Sequence, residues 1–207
     1  LSYALAGSVL FGTEPPEGYQ GTFRLGSASA PRGGEARLPF FINSNAGTQG
    51  FSFSIDFDEE ALEAGPEMEH VFAMPDGGEW RFAAYYADNS NATPGNGGVD
   101  EGFMLGGVIF SFTEYVALPV DTDSEVAIFS MRVKPDAVIG ATEVRFLDGA
   151  QHPETDNPTT NYISRYMEGV PPDTRITPVY VQARLQIVPD ISIFVRGDSN
   201  GDAKVDI

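Results

Sequence analysis

Asp198, Asn200, Asp202 and Asp206 stand at positions 1, 3, 5 and 9 of the stretch Asp-Ser-Asn-Gly-Asp-Ala-Lys-Val-Asp-Ile. Oxygen donors at that spacing, with the Lys204 backbone carbonyl at position 7, are what a twelve-residue calcium loop of the EF-hand type requires. Calcium is a hard cation and takes oxygen ligands in preference to nitrogen or sulfur. Ala203 occupies position 6, where the tight turn favours glycine. The stretch stops at position 10, before the bidentate carboxylate of position 12. The expectation is a calcium loop that binds weakly, or that binds when a partner supplies the remaining oxygen.

Other chemistry is sparse. His70 and His152 are the only histidines, and neither stands in a metal-ligand spacing such as HExxH. No G-x-S-x-G elbow and no glycine-rich phosphate loop occurs. A glycosidase needs only two carboxylates, so the sequence leaves such a pair open, yet most Asp and Glu fall in turns or on the polar faces of strands. The expectation is a protein that is not an enzyme. Asp121, Asp123 and Glu125 form a weaker acidic group, as do Asp88, Asn89, Asn91 and Asp100, and solvated carboxylates are the default for both. Asn91-Ala-Thr93 matches the N-glycosylation acceptor pattern. For a glycan partner the candidate stacking rings are Trp80, Tyr85, Tyr86, Tyr115, Tyr162, Tyr166 and Tyr180. Trp80 shares its strand face with Phe82 and is expected in the core; Tyr162 and Tyr166 are the better candidates for exposure.

Composition narrows the partners. Across 207 residues, Lys+Arg 12 against Asp+Glu 30 gives a net charge of −18. Such a field repels nucleic acid and anionic membrane surfaces, and it suits divalent cations. The absence of cysteine removes disulfides, thiolate metal sites and thiol catalysis. No run of apolar residues is long enough for a transmembrane helix. The chain starts at Leu1 with no leader, as a secreted protein does after its signal peptide is removed, or as a trimmed chain does.

The elements that position these groups are strands. Period-2 alternation recurs over 22–25, 36–42, 50–58, 79–86, 103–112, 125–133, 142–147 and 177–187. The stretch Gly50-Phe-Ser-Phe-Ser-Ile-Asp-Phe-Asp58 alternates most cleanly. It predicts a core face of Phe51, Phe53, Ile55 and Phe57 and a wet face of Ser52, Ser54, Asp56 and Asp58. Only 59–64 reads as a helical turn. Short strands between Gly- and Pro-rich turns predict an all-β fold of two antiparallel sheets packed face to face. The expected organisation is a strand-like arm at 1–21, a sandwich at 22–189 with insertions near 88–100 and 151–177, and a linker with the partial calcium loop at 190–207. The arm completes either its own sheet or the open edge of a neighbouring copy.

The order of these elements resembles the cohesin family. A hydrophobic strand follows Pro31-Arg-Gly-Gly-Glu35, and Asn45-Ala-Gly precedes the strand 50–58, which runs at once into Glu59-Glu-Ala-Leu62. This resembles the family signature G-x-x-x-x-[IV]-x-[YF]-D-x-x-x-L, with Asp58 and Leu62 at its fixed points. The strand 126–133 resembles the family's strand ahead of its last pair. The tail from Arg196 to Ile207 resembles the opening of a type I dockerin calcium repeat. The resemblance implies a nine-stranded jelly-roll sandwich without enzymatic activity, used for attachment to a protein partner or to copies of itself. It implies a secreted or cell-surface setting in a bacterium, and a flat face of middle strands that receives dockerin helices. A carbohydrate-binding module of a secreted multidomain protein is the alternative.

Overall fold

The fold follows from apolar side chains at every second position, which a strand can bury only against another sheet. A computed structural model describes residues 18–71, 82–90, 102–111, 116–155, 157–165 and 175–190. Within them the strands are β1 (Gly21–Leu25), β2 (Ala28–Pro31), β3 (Glu35–Ser44), β4 (Thr48–Phe57), β5 (Leu62–His70), β6 (Phe82–Asp88) and β7 (Phe103–Ile109). They continue as β8 (Ser124–Val133), β9 (Gly140–Phe146), β10 (Tyr162–Arg165), β11 (Arg175–Ile176), β12 (Val179–Val181) and β13 (Ala183–Val188).

A five-stranded sheet of order β12-β1-β3-β8-β5 faces an eight-stranded sheet built around β4. β7 pairs with β4 from Gly50 to Asp56 and carries β6 on its far side. β10 and β9 share the opposite edge of β4, and β13 and β2 extend the sheet beyond β9. The two-sheet sandwich expected from the alternation is observed, and most of its pairs are antiparallel.

The exceptions close one side of the sandwich. β1 runs parallel to β12, and β2 runs parallel to β13. The two segments therefore travel together and cross from one sheet to the other as a single ribbon. Gly26 forms the corner: its N–H donates to the Pro39 carbonyl at 2.8 Å, and a Cβ there would sit 2.5 Å from the Pro39 ring. At the matching corner of the second segment the Gln182 side-chain oxygen accepts the Phe146 N–H at 2.6 Å. The other side is tied by Asn89, whose amide accepts the Ala64 N–H at 2.7 Å and donates to the Ala64 carbonyl at 3.0 Å. One side chain thus does the work of a strand pair between β6 and β5.

Between the sheets lies an aromatic core. Phe40 of β3 meets Phe23, Phe51, Phe53, Phe129 and Phe146 at centroid distances of 5.1, 5.5, 5.8, 6.0 and 5.5 Å. Most of these contacts are edge-on or tilted, the geometry the ring quadrupole favours. Burial of a phenylalanine side chain is worth roughly 1.5–3 kcal/mol, so this group dominates the cohesion of the two layers.

Several expectations are corrected. β4 has no wet face from Ser52 to Asp56, because both of its faces are buried. The stretch 59–64 is one turn followed by a strand. Asp58 accepts the Ala61 and Leu62 N–H groups on its carbonyl at 3.1 and 2.9 Å, and the Glu60 N–H on its carboxylate at 3.1 Å. Leu62, fully buried, then opens β5. Asp58 therefore closes the turn and Leu62 anchors the strand that follows it. The run 177–187 is divided by the corner at Gln182. The region 151–177, read as an insertion without strands, contains β10 and β11, which are too short to show a period. Among the described residues no helix is long and apolar enough to cross a membrane.

Candidate interaction face

The outer face of the eight-stranded sheet is read from the inward one. On β7, Met104 and Val108 enter the main core, so Phe103, Leu105, Gly107 and Ile109 point outward. On β6, Tyr85 and Ala87 pack on the core, so Phe82, Ala84 and Tyr86 point outward. Strand register then aligns these residues in rows. Phe82 opposes Ile109, Ala84 opposes Gly107 and then Ser52, and Tyr86 opposes Leu105 and then Ser54.

A loop covers one end of this face. β9 and β10 occupy a single lane along β4, interrupted opposite Ser54, where the chain leaves at Leu147 and returns at Asn161. Hydrogen bonds splice the break. Leu147 N–H donates to the Ser54 carbonyl at 3.0 Å, and Ser54 N–H donates to the Asn161 side-chain oxygen at 2.8 Å. Asp148 holds the neck, accepting from the Asn161 backbone N–H at 2.7 Å and from its amide nitrogen at 2.8 Å. The loop places Ala150 against Phe103 and Leu105, with Tyr86 and Leu147 beside them. His152 meets the Tyr86 ring edge-on at 4.5 Å. Burial, and secondarily the charge of Asp88, hold the Tyr86 hydroxyl above its ordinary pKa. This cover is the physical reason that Ser54 and Asp56 are buried. Asp56 itself is held by Arg145 at 2.6 Å.

Beyond the loop the same face is open at Phe82 and Ile109, each 37% exposed, with Ala84 exposed and Gly107 half-exposed between them and the covered end. Two large apolar side chains on directly opposed residues form a small exposed apolar patch. Phe82, on the strand face expected in the core, lies outward because β6 turns Tyr85 and Ala87 inward. The unbroken apolar run over 103–110 carried a signal of this: an outward face of Phe, Leu, Gly and Ile does not suit water.

The remaining candidates separate. Asp198, Asn200, Asp202, Lys204 and Asp206 lie outside the described residues, as do Trp80, Asn91, Asp100, Tyr115 and Tyr166. Among the described residues no three His, Cys, Asp or Glu side chains converge as a metal site. Asp123 is paired with Arg24, and Asp121 takes a left-handed turn at φ 51. Asp88 accepts from the backbone and hydroxyl of Ser90 at 2.9 and 2.6 Å. His70 ends β5 in one sheet while His152 belongs to the loop over the other. The described tyrosines among these candidates do not form a free row. Tyr85 and Tyr180 pack on the core, and Arg175 lies over the Tyr162 ring at 4.4 Å.

No protein-family model matches the sequence, and no curated protein sequence matches it. Solved structures do. A chain of a type I cohesin–dockerin complex from Clostridium thermocellum aligns with TM-score 0.55 at 16% identity, covering 82% of this chain and 99% of that one. A type I cohesin from Pseudobacteroides cellulosolvens aligns with TM-score 0.55 at 14% identity over 82% and 93%. A non-cellulosomal cohesin from the archaeon Archaeoglobus fulgidus aligns with TM-score 0.51 at 12% identity over 84% and 94%. At such identities the likeness establishes architecture: this chain folds as an all-β, cohesin-like jelly-roll sandwich.

Proposed function

We propose that this chain is a non-catalytic attachment module, secreted or displayed at a cell surface, that docks a helical, dockerin-like protein on the outer face of β6, β7 and β4. The observation that carries this reading is the exposed Phe82–Ile109 pair beside the small residues Ala84 and Gly107. Small residues let a helix approach the sheet, and the two large ones supply apolar contacts of the kind that dominate binding energy. The cohesin fold, found in complexes with dockerins, supports the partner class. The net charge of −18 favours partners with basic rims. We further propose that the Asp198–Asp206 stretch holds calcium as part of the same attachment system.

The test is calorimetric titration with purified dockerin-bearing polypeptides in calcium buffer. The intact chain is expected to bind at least one of them, and Phe82→Asp and Ile109→Asp to weaken it more than about tenfold with unchanged melting temperatures. Binding unaffected by both substitutions would place the contact elsewhere. No binding to any dockerin would remove the reading. A second reading is self-assembly: among the described residues β6 pairs only with β7, and an edge of that kind can receive a strand of another copy. Sedimentation of the chain alone, monomer or larger, separates the two.

A further inference from the structure

Arg165 ends β10 with its side chain turned between the sheets, and it is 0% exposed. A register shift between Ser164 and Arg165 sets its backbone opposite Thr48. Its guanidinium carbon lies 3.7 Å from the centroid of the Tyr19 ring. Nε, Nη1 and Nη2 are all buried without a hydrogen-bond partner. The ring therefore occupies the flat face of the guanidinium and leaves the whole donor edge unfilled. Burial of a charge is tolerated when it is both paired and hydrogen-bonded, and a cation–π contact supplies neither a counter-charge nor an acceptor.

We propose that the Arg165–Tyr19 pair is a carboxylate-binding site at this end of the sandwich. The chemistry follows from the edge that is free. A guanidinium presents parallel N–H donors in a fixed fork, which a carboxylate fills with two oxygens in the same plane. One guanidinium balances one negative charge, so a monoanion leaves no surplus charge buried, whereas a phosphate dianion does. Two sources offer this group: Glu17, two residues before Tyr19 in the sequence, and a free carboxylate ion. The site is independent of the docking face.

Thermal melts of the full chain distinguish the sources. They compare wild type, Glu17→Gln and Arg165→Met in sodium formate and in sodium chloride at equal ionic strength. If Glu17 is the ligand, Glu17→Gln lowers the melting temperature by at least about 4 °C, formate restores it, and formate leaves wild type unchanged. If the ligand is a free ion, formate raises the wild-type melting temperature and Glu17→Gln behaves like wild type. In both cases Arg165→Met abolishes the response to formate. Should Arg165→Met fail to fold, the other two proteins still decide. A neutral Glu17→Gln together with indifference to formate in both overturns the proposal.

Discussion

Tyr85 shows how a single residue ties the two sheets together. Its hydroxyl donates to the Gly65 carbonyl of the opposite sheet at 3.0 Å, and its ring stacks near Phe129 at 6.1 Å. Burial holds its pKa above the ordinary value of 10.0. The sign of the linkage is fixed by this direction. The unfolded chain loses the tyrosine proton near pH 10 while the folded chain keeps it, so the contribution is complete below about pH 10 and is lost as pH rises toward the elevated folded value. Tyr85→Phe is expected to cost about 1 kcal/mol at neutral pH through the lost hydrogen bond, and to flatten the fall in stability above pH 10. Denaturant titrations at pH 8 and pH 11 measure both effects; an alkaline slope equal to that of wild type would sink the assignment. At this scale the sequence was readable where a side chain acts on its own neighbours. Asp58 capping its turn and Leu62 entering the core are local events, and the pattern that marks them is local. Phe82 was not readable, because its alternation is compatible with either face and only the strand across from it decides which is buried.

The loop between β9 and β10 is the element on which the candidate face depends. Its neck is a splice in which Asn161, 0% exposed, replaces the missing strand partner of Ser54. Asn161→Ala leaves the buried Ser54 N–H without an acceptor and removes the side-chain hydrogen bond to Asp148 while keeping the backbone one, so a loss of about 1–3 kcal/mol is expected. The corresponding fall in melting temperature is about 2–4 °C per kcal/mol for a chain of this size. Hydrogen exchange of the loop amides is expected to quicken before that of β4, because the loop opens locally while the sheet persists. Equal acceleration in both would show that the splice serves global folding instead. Little of this was legible beforehand. The loop reads as polar and aperiodic, β10 and β11 are too short for a period, and the contact that matters joins Asn161 to a residue far away in sequence. Strand existence was better signalled than strand division: 177–187 reads as one run until Gln182 is seen at its corner, and β2, beyond the matching corner at Gly26, was not read as a strand.

For the whole molecule, an excess of carboxylates surrounds an aromatic core. Most described ion pairs, such as Arg37–Glu69 at 2.6 Å, are exposed and contribute little; Arg145–Asp56, with its buried carboxylate, is the exception. Stability comes from the packed rings, and the negative field sets which partners and ions approach. The proposed calcium stretch belongs to this scale, since in sequence it follows the last described strand. Calorimetry is expected to show calcium binding in the range of about 10⁻⁴–10⁻³ M, abolished in Asp198→Ala/Asp202→Ala. Absence of any heat at 10 mM calcium, or identical heat in the variant, would remove it. The sequence alone determined the all-β class, the two-layer packing, most strand positions and the acidic, cysteine-free character, because periodicity and composition act through nearest neighbours and summed charge. Tertiary structure alone decided which face of β4, β6 and β7 meets water, where the terminal ribbon changes sheets, and that Arg165 is buried on Tyr19. Those outcomes depend on pairing across distant segments, which no local pattern encodes. For the ten closing residues the sequence remains the source of the calcium proposal, since spacing of oxygen donors is a property of the chain itself.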